Sequence, residues 1–131
     1  MKKFDLVVFD DLIHGAADVY TPDVWCETLG NADRLTIEAI VDNVDVSGTI
    51  IIQIEHSGDG RNWAPKAATA EINGVDITAG TINVARDKTT GSDTETNPRP
   101  LLPFVRLRLR IQTATRAHVK LCVQGYDGYC C

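Results

Sequence analysis

The sequence predicts an all-β fold, an antiparallel β-sandwich or jelly roll. Three observations carry that prediction. Apolar and polar residues alternate with a period of two along several segments, helical periodicity is nearly absent, and Gly or Asn-Gly steps separate the alternating runs. Successive side chains of a strand point to opposite faces, so such a run buries one face and wets the other. Eight or so short strands of this kind can close over one shared core.

The first strand is expected at 4–9, within Phe4-Asp5-Leu6-Val7-Val8-Phe9. The N-terminus resembles a signal peptide only superficially: Asp5 interrupts the apolar stretch, Asp10 and Asp11 end it, and no small-residue cleavage site follows. Residues from Ile13 to Thr21 read as an irregular connection, and another strand is expected at 23–28. Over 34–42, Leu35, Ile37, Ala39 and Val41 share an apolar face, while Arg34, Thr36, Glu38 and Asp42 share the other. Ile50-Ile51-Ile52-Gln53-Ile54-Glu55-His56 supplies the β-branched residues that fill a pleated surface. Ser57-Gly58-Asp59-Gly60 then reverses the chain. His56 is placed at the strand end near the core rim, Asp59-Gly60 forms the turn, and Trp63 folds back to close the core edge.

Strands follow near 68–72 and 75–78, joined by Asn73-Gly74, and at 80–86. In the last two strands, Val105, Leu107, Leu109 and Ile111 face inward, as do Val119, Leu121 and Val123. The core is therefore expected to contain Leu35, Ile37, Val41, Ile50, Ile52, Ile54, Val105, Leu107, Leu109, Val119, Leu121 and Val123.

A chain of 131 residues suits one domain with a core that needs neither metal nor disulfide. The expected organisation is a sandwich over 1–131 with an N-terminal extension over about 1–30, a polar loop at 87–100 and a cysteine-containing tail at 125–131. A formal charge of −5 argues against nucleic-acid binding, and no apolar run reaches membrane-spanning length. The loop is polar and proline-terminated. Loops of that length inside a compact domain are usually either functional or disordered, so the segment reads as an arm that contacts a partner, with Thr89, Thr90, Asp93, Glu95 and Arg99 as candidate interface residues, or as a mobile surface loop.

No catalytic motif, cofactor fingerprint or metal-ligand spacing occurs, so the chain is read as non-enzymatic, with no cofactor. Asp10-Asp11, Asp42 and Asp45 offer oxygen ligands but no calcium-loop spacing. Arg106, Arg108 and Arg110 form a row that suits phosphate or, against an acidic chain, pairing with Glu38, Asp42 and Glu55. The four cysteines, Cys26, Cys122, Cys130 and Cys131, match no zinc pattern; they read either as thiols left free by a reducing cytosol or as disulfide candidates, Cys130 and Cys131 bonding to Cys26, to Cys122 or to a neighbouring subunit. Such bonds would form after release from a reducing cytosol.

Ile54-Glu55-His56-Ser57-Gly58-Asp59-Gly60-Arg61-Asn62-Trp63, Pro103-Phe104-Val105-Arg106-Leu107, and Ala117-His118-Val119-Lys120-Leu121 leading to Gln124-Gly125-Tyr126 appear in that order. This order resembles small β-sandwich structural proteins of tailed bacteriophages, of the capsid decoration or cement type, over roughly 34–127. The resemblance implies a virion protein made in the cytoplasm of a bacterial host, binding a major capsid protein or other virion subunits and its own copies. The alternative is a carbohydrate-binding sandwich module, because a strand followed by a Ser-x-Asp-Gly-x-x-Trp turn also occurs there. Sugar binding usually requires exposed aromatic platforms, and aromatic residues are only 6% of this chain.

Overall fold

The computed structural model describes residues 3–66, 70–87 and 102–127. These form two antiparallel sheets packed face to face. Sheet one has the order β1 (Lys3–His14), β9 (Arg116–Asp127), β3 (Ala32–Asp42), β7 (Asn83–Asp87). Sheet two has the order β2 (Val19–Tyr20), β8 (Phe104–Gln112), β4 (Gly48–Ser57), β5 (Ala64–Pro65), and β6 (Ile72–Ile77) also pairs with β4. The sandwich expected from the alternation is the observed architecture.

All twelve residues expected in the core are 0% exposed. They meet between the sheets, joined by Val8, Ile13, Leu29, Ile72, Ile77 and Ile111. Register explains the agreement: Ile37, Ala39 and Val41 lie opposite Val123, Leu121 and Val119, while Ile50, Ile52 and Ile54 lie opposite Ile111, Leu109 and Leu107. A one-residue slip in either ladder would turn these side chains into water.

The N-terminal region is an integral part of the sandwich. β1 pairs with β9 from Lys3 to His14 and sends Val8 and Ile13 into the core. It is an edge strand, and its open edge is blunted. The register shifts between Val7 and Phe9, Asp10 and Asp11 are exposed, and the Asp11 carboxylate accepts the Leu12 N–H at 2.8 Å.

Residues 23–28, expected as a strand, are helical. A 3-10 turn (Asp23–Trp25) leads into α1 (Cys26–Gly30). Val24-Trp25-Cys26 has strand-like composition, but Pro22 and Gly30 bracket it as a short helix is bracketed. Cys26 and Leu29 then bury one face three residues apart.

The Asn73-Gly74 step does not join two strands. It lies inside β6, where the ladder to β4 shifts between Ile50 and Ile52, so it forms a bulge. The strand expected at 80–86 begins later, at Asn83. The Asn83 side chain instead holds the preceding turn: its Oδ1 accepts Thr78 N–H at 3.0 Å and its Nδ2 donates to the Thr78 carbonyl at 3.0 Å.

Two crossovers between the sheets are tied together by Asp45. Its Oδ1 accepts the N–H groups of Val46, Thr115 and Arg116 at 2.9, 3.1 and 3.1 Å, and its Oδ2 accepts the Thr115 hydroxyl. These bonds favour the ionised carboxylate and lower its pKa to about 2, the Thr115 hydroxyl contributing most. Beside this junction the chain runs close upon itself at Gly48. A Cβ there would lie 2.2 Å from the Gln112 carbonyl oxygen and 2.6 Å from the Ala114 nitrogen.

Candidate functional site

The turn expected at 57–60 organises one side of a cleft. Ser57 is buried at the end of β4, and its Oγ accepts the N–H groups of Asp59 and Gly60 at 3.2 and 2.9 Å. Asp59 Oδ1 accepts the Ser57 hydroxyl at 2.8 Å and the N–H groups of Arg61 and Asn62 at 2.9 Å each. Asn62 Nδ2 completes the set on Oδ2 at 2.7 Å. These donors, the Asn62 N–H foremost, hold the Asp59 carboxyl well below the usual carboxylate range. Gly60 takes φ +76°, which a residue with a Cβ adopts only under strain, so the chain can turn back here over Phe104.

Trp63 was expected to close the edge of the core. It lies instead on the outer face of sheet two. The Arg106 guanidinium carbon sits 4.4 Å from the centre of its ring and 4.0 Å from the ring of Tyr20, within cation–π range of both. Arg106 is fixed from below by Glu55, which is buried on β4: Nε donates to Oε1 at 2.7 Å, and a terminal nitrogen lies 2.7 Å from the same oxygen. Tyr20 is brought over Arg106 because β2 pairs with β8. That pairing is extended by Thr21, whose Oγ1 accepts the Leu107 N–H at 3.0 Å and whose N–H donates to the Leu107 carbonyl at 3.1 Å.

These groups border a cleft of about 750 Å³ between the 3-10 turn and α1 on one side and the 59–63 turn on the other. Trp63, Phe104 and Arg106 line it from sheet two, Asp23, Glu27 and Thr28 from the helical wall, and Arg61 from the turn. Cys26 also lines it, and burial together with the nearby Asp23 charge pushes its thiol pKa up, which keeps it protonated.

The arginine row is paired as the acidic composition favoured. Arg106 and Arg108 both reach Glu55, at 2.7 and 3.5 Å, and Arg108 also donates to Gln53 Oε1 at 2.8 Å. The remaining partners differ from expectation because Glu38 and Asp42 lie in the other sheet. Arg110 faces Asp18 at 3.9 Å, Glu38 pairs with Arg86 at 2.6 Å, and Asp42 pairs with His118.

His118 is the centre of a clamp that joins β1, β9 and β3. Its Nδ1 lies 2.7 Å from Asp42 Oδ1 on β3 and its Nε2 lies 2.6 Å from Asp10 Oδ1 on β1. Both ring nitrogens can donate only in the imidazolium, so the two carboxylates raise the His118 pKa, Asp42 first. The carboxylates that offered oxygen ligands are thus engaged by protein donors. His56 sits at the strand end, as expected; its Nδ1 accepts the Leu102 N–H at 3.3 Å, and burial lowers its pKa.

Cys26 and Cys122 are free thiols, the first buried at the start of α1 and the second half-buried on the outer face of sheet one. The disulfide expected to involve them is absent among the described residues. Cys130, Cys131 and the interface candidates Thr89, Thr90, Asp93, Glu95 and Arg99 lie outside the described residues.

No protein-family model matches the chain, and no curated protein matches it in sequence. Solved structures match it in fold. The T13 viral particle of infectious bursal disease virus aligns over 97% of this chain and 31% of its own, with a TM-score of 0.60 and 13% identity. The VP2 subviral particle of the same virus aligns over 97% and 33%, with a TM-score of 0.52 and 15% identity. The PBSX exported protein XepA aligns over 98% and 38%, with a TM-score of 0.50 and 15% identity. A xylan-binding domain aligns at a TM-score of 0.48 with 9% identity, over 88% of this chain and 68% of its own. The chain thus spans about a third of the length of the viral and PBSX proteins whose fold it shares.

Proposed function

We propose that this protein is a non-enzymatic structural component of a virion, a decoration or cement protein that binds a capsid lattice and neighbouring copies of itself. The observation that carries the reading is the alignment of nearly the whole chain with a viral capsid particle at a TM-score of 0.60. The chemistry of the surface supports it. Glu38 pairs with Arg86, Glu55 with Arg106, and Asp42 with His118 within the chain, and His118 and His56 are held by protein partners rather than facing an open site.

The outer face of sheet one is suited to subunit contact. Val7, Leu12 and Val84 are exposed there at 46%, 39% and 48%, with half-buried Ile40 and Cys122 between them. Val7 lies beside Cys122 and Ile40 beside Val84, with Lys120, Glu38 and the Asp10–His118–Asp42 clamp interspersed, a mixed apolar and charged surface of the kind that non-obligate protein contacts use. The partner is a major capsid protein or another virion subunit, and assembly follows synthesis in the cytoplasm of a bacterial host. The 87–100 segment, with Thr89, Thr90, Asp93, Glu95 and Arg99, supplies a second contact.

The test is deletion of residues 89–96 followed by co-sedimentation with particles. The deleted protein is expected to keep the circular dichroism spectrum of the intact chain and to bind particles more weakly. Equal retention of the two proteins would remove the segment from the interface. Failure of the intact protein to sediment with particles would overturn the reading itself.

A further inference from the structure

The cleft beside Trp63 is not required by a lattice-binding role, and its construction points to a small ligand. We infer that it is a binding site for a neutral oligosaccharide. Its volume of about 750 Å³ lies within the range of specific ligand sites.

The floor is aromatic and rigid. Trp63 is held against the Arg106 guanidinium, and Arg106 is locked to the buried Glu55. A platform whose geometry is set before the ligand arrives loses little entropy on binding. The electron-rich face of an indole attracts the weakly positive C–H edge of a pyranose ring, as it attracts the edge of another aromatic ring.

The rim carries planar polar groups. Asp23, Glu27 and Arg61 are exposed, and their side chains have no hydrogen-bond or ion-pair partner among the described residues. Carboxylates accept and a guanidinium donates pairs of parallel hydrogen bonds, which match vicinal hydroxyls.

Other ligand classes fit less well. An anion would meet the carboxylates of Asp23 and Glu27, while the charge of Arg106 is already taken by Glu55. A cationic side chain would meet the Arg61 guanidinium, unpaired among the described residues, at the rim. A purely apolar ligand would strip water from the rim without replacing its hydrogen bonds.

The experiment is a titration of the 15N-labelled full chain with cellotetraose, xylotetraose, maltotetraose and chitotetraose, each followed by two-dimensional NMR. At least one of them is expected to shift the Trp63 indole N–H and the backbone amides of Asp23 and Arg61. Trp63→Ala should weaken that binding by at least about tenfold, the loss typical of a central aromatic anchor. Should Trp63→Ala fail to fold, the exposed double variant Asp23→Asn/Glu27→Gln carries the test and should also weaken binding. Absence of any shift with all four sugars at millimolar concentration would overturn the inference. So would shifts that survive both variants unchanged, or shifts produced by a hexalysine peptide or inorganic phosphate and by none of the sugars.

Discussion

Leu107→Ala probes the register on which the whole sandwich depends. Leu107 is 0% exposed, lies opposite Ile54 across the β4–β8 ladder, and has both backbone groups bonded to Thr21 on its other side. Removing its isobutyl group loses transfer energy and leaves a cavity, which costs about 2–5 kcal/mol for a buried leucine. Backbone held from both sides cannot collapse into the space, so the cost belongs in the upper part of that range, about 3–5 kcal/mol. For a chain of this length such a loss lowers the melting temperature by roughly 10–20 °C. Urea and thermal unfolding followed by circular dichroism measure it. The control is Leu102→Ala, at a residue 41% exposed, which should change stability by no more than about 0.5 kcal/mol. A fall of less than roughly 4 °C for Leu107→Ala, or an equal fall for both variants, would refute the inward assignment of β8.

Gly48→Ala should be strongly destabilising or fail to fold, since its Cβ would strike the backbone at Gln112 and Ala114; a melting temperature unchanged from the parent would show the contact to be looser. The His118 pKa is raised by Asp42 and Asp10, so its stabilising contribution is fully present below the unfolded histidine pKa and is lost as pH rises through the folded one. His118→Gln should therefore flatten the fall in stability across that window, and an identical pH profile for variant and parent would contradict the clamp. Asp45 and Asp59 have depressed pKa values, so their contributions are present above the unfolded carboxylate pKa and are lost as pH falls through the folded values. Asp45→Asn should be less stable than the parent at neutral pH, the difference narrowing toward strongly acidic pH in urea titrations; a constant difference would argue against the sign.

The parts of the fold that were legible in the sequence are those decided locally. Leu35, Ile37 and Val41, or Val119, Leu121 and Val123, declare their face by alternation alone, because the sheet has one dry side. Local composition misled at 23–28, where Val24-Trp25-Cys26 looks like a strand and only Pro22 and Gly30 signal the helix. Asn73-Gly74, read as a turn between two strands, misled for a related reason: the same dipeptide that turns a hairpin also makes a bulge, and pairing with β4 decides between them.

The candidate site was legible only in pieces. The Ser57–Asp59 turn could be read because its bonds span three residues or fewer. The stack of Tyr20, Arg106 and Trp63 depends on β2 and the 59–63 turn meeting over β8, and no local pattern encodes that meeting. The His118 clamp joins partners 76 and 108 residues away in sequence, so its chemistry appears only once the strand order is known.

The most direct test of the central claim is the protein content of purified particles. Virions banded on a density gradient, washed in high salt and analysed by mass spectrometry should contain this chain at a fixed ratio to the major capsid protein. Its presence only in the soluble lysate, with washed particles free of it, would contradict a structural role in the virion.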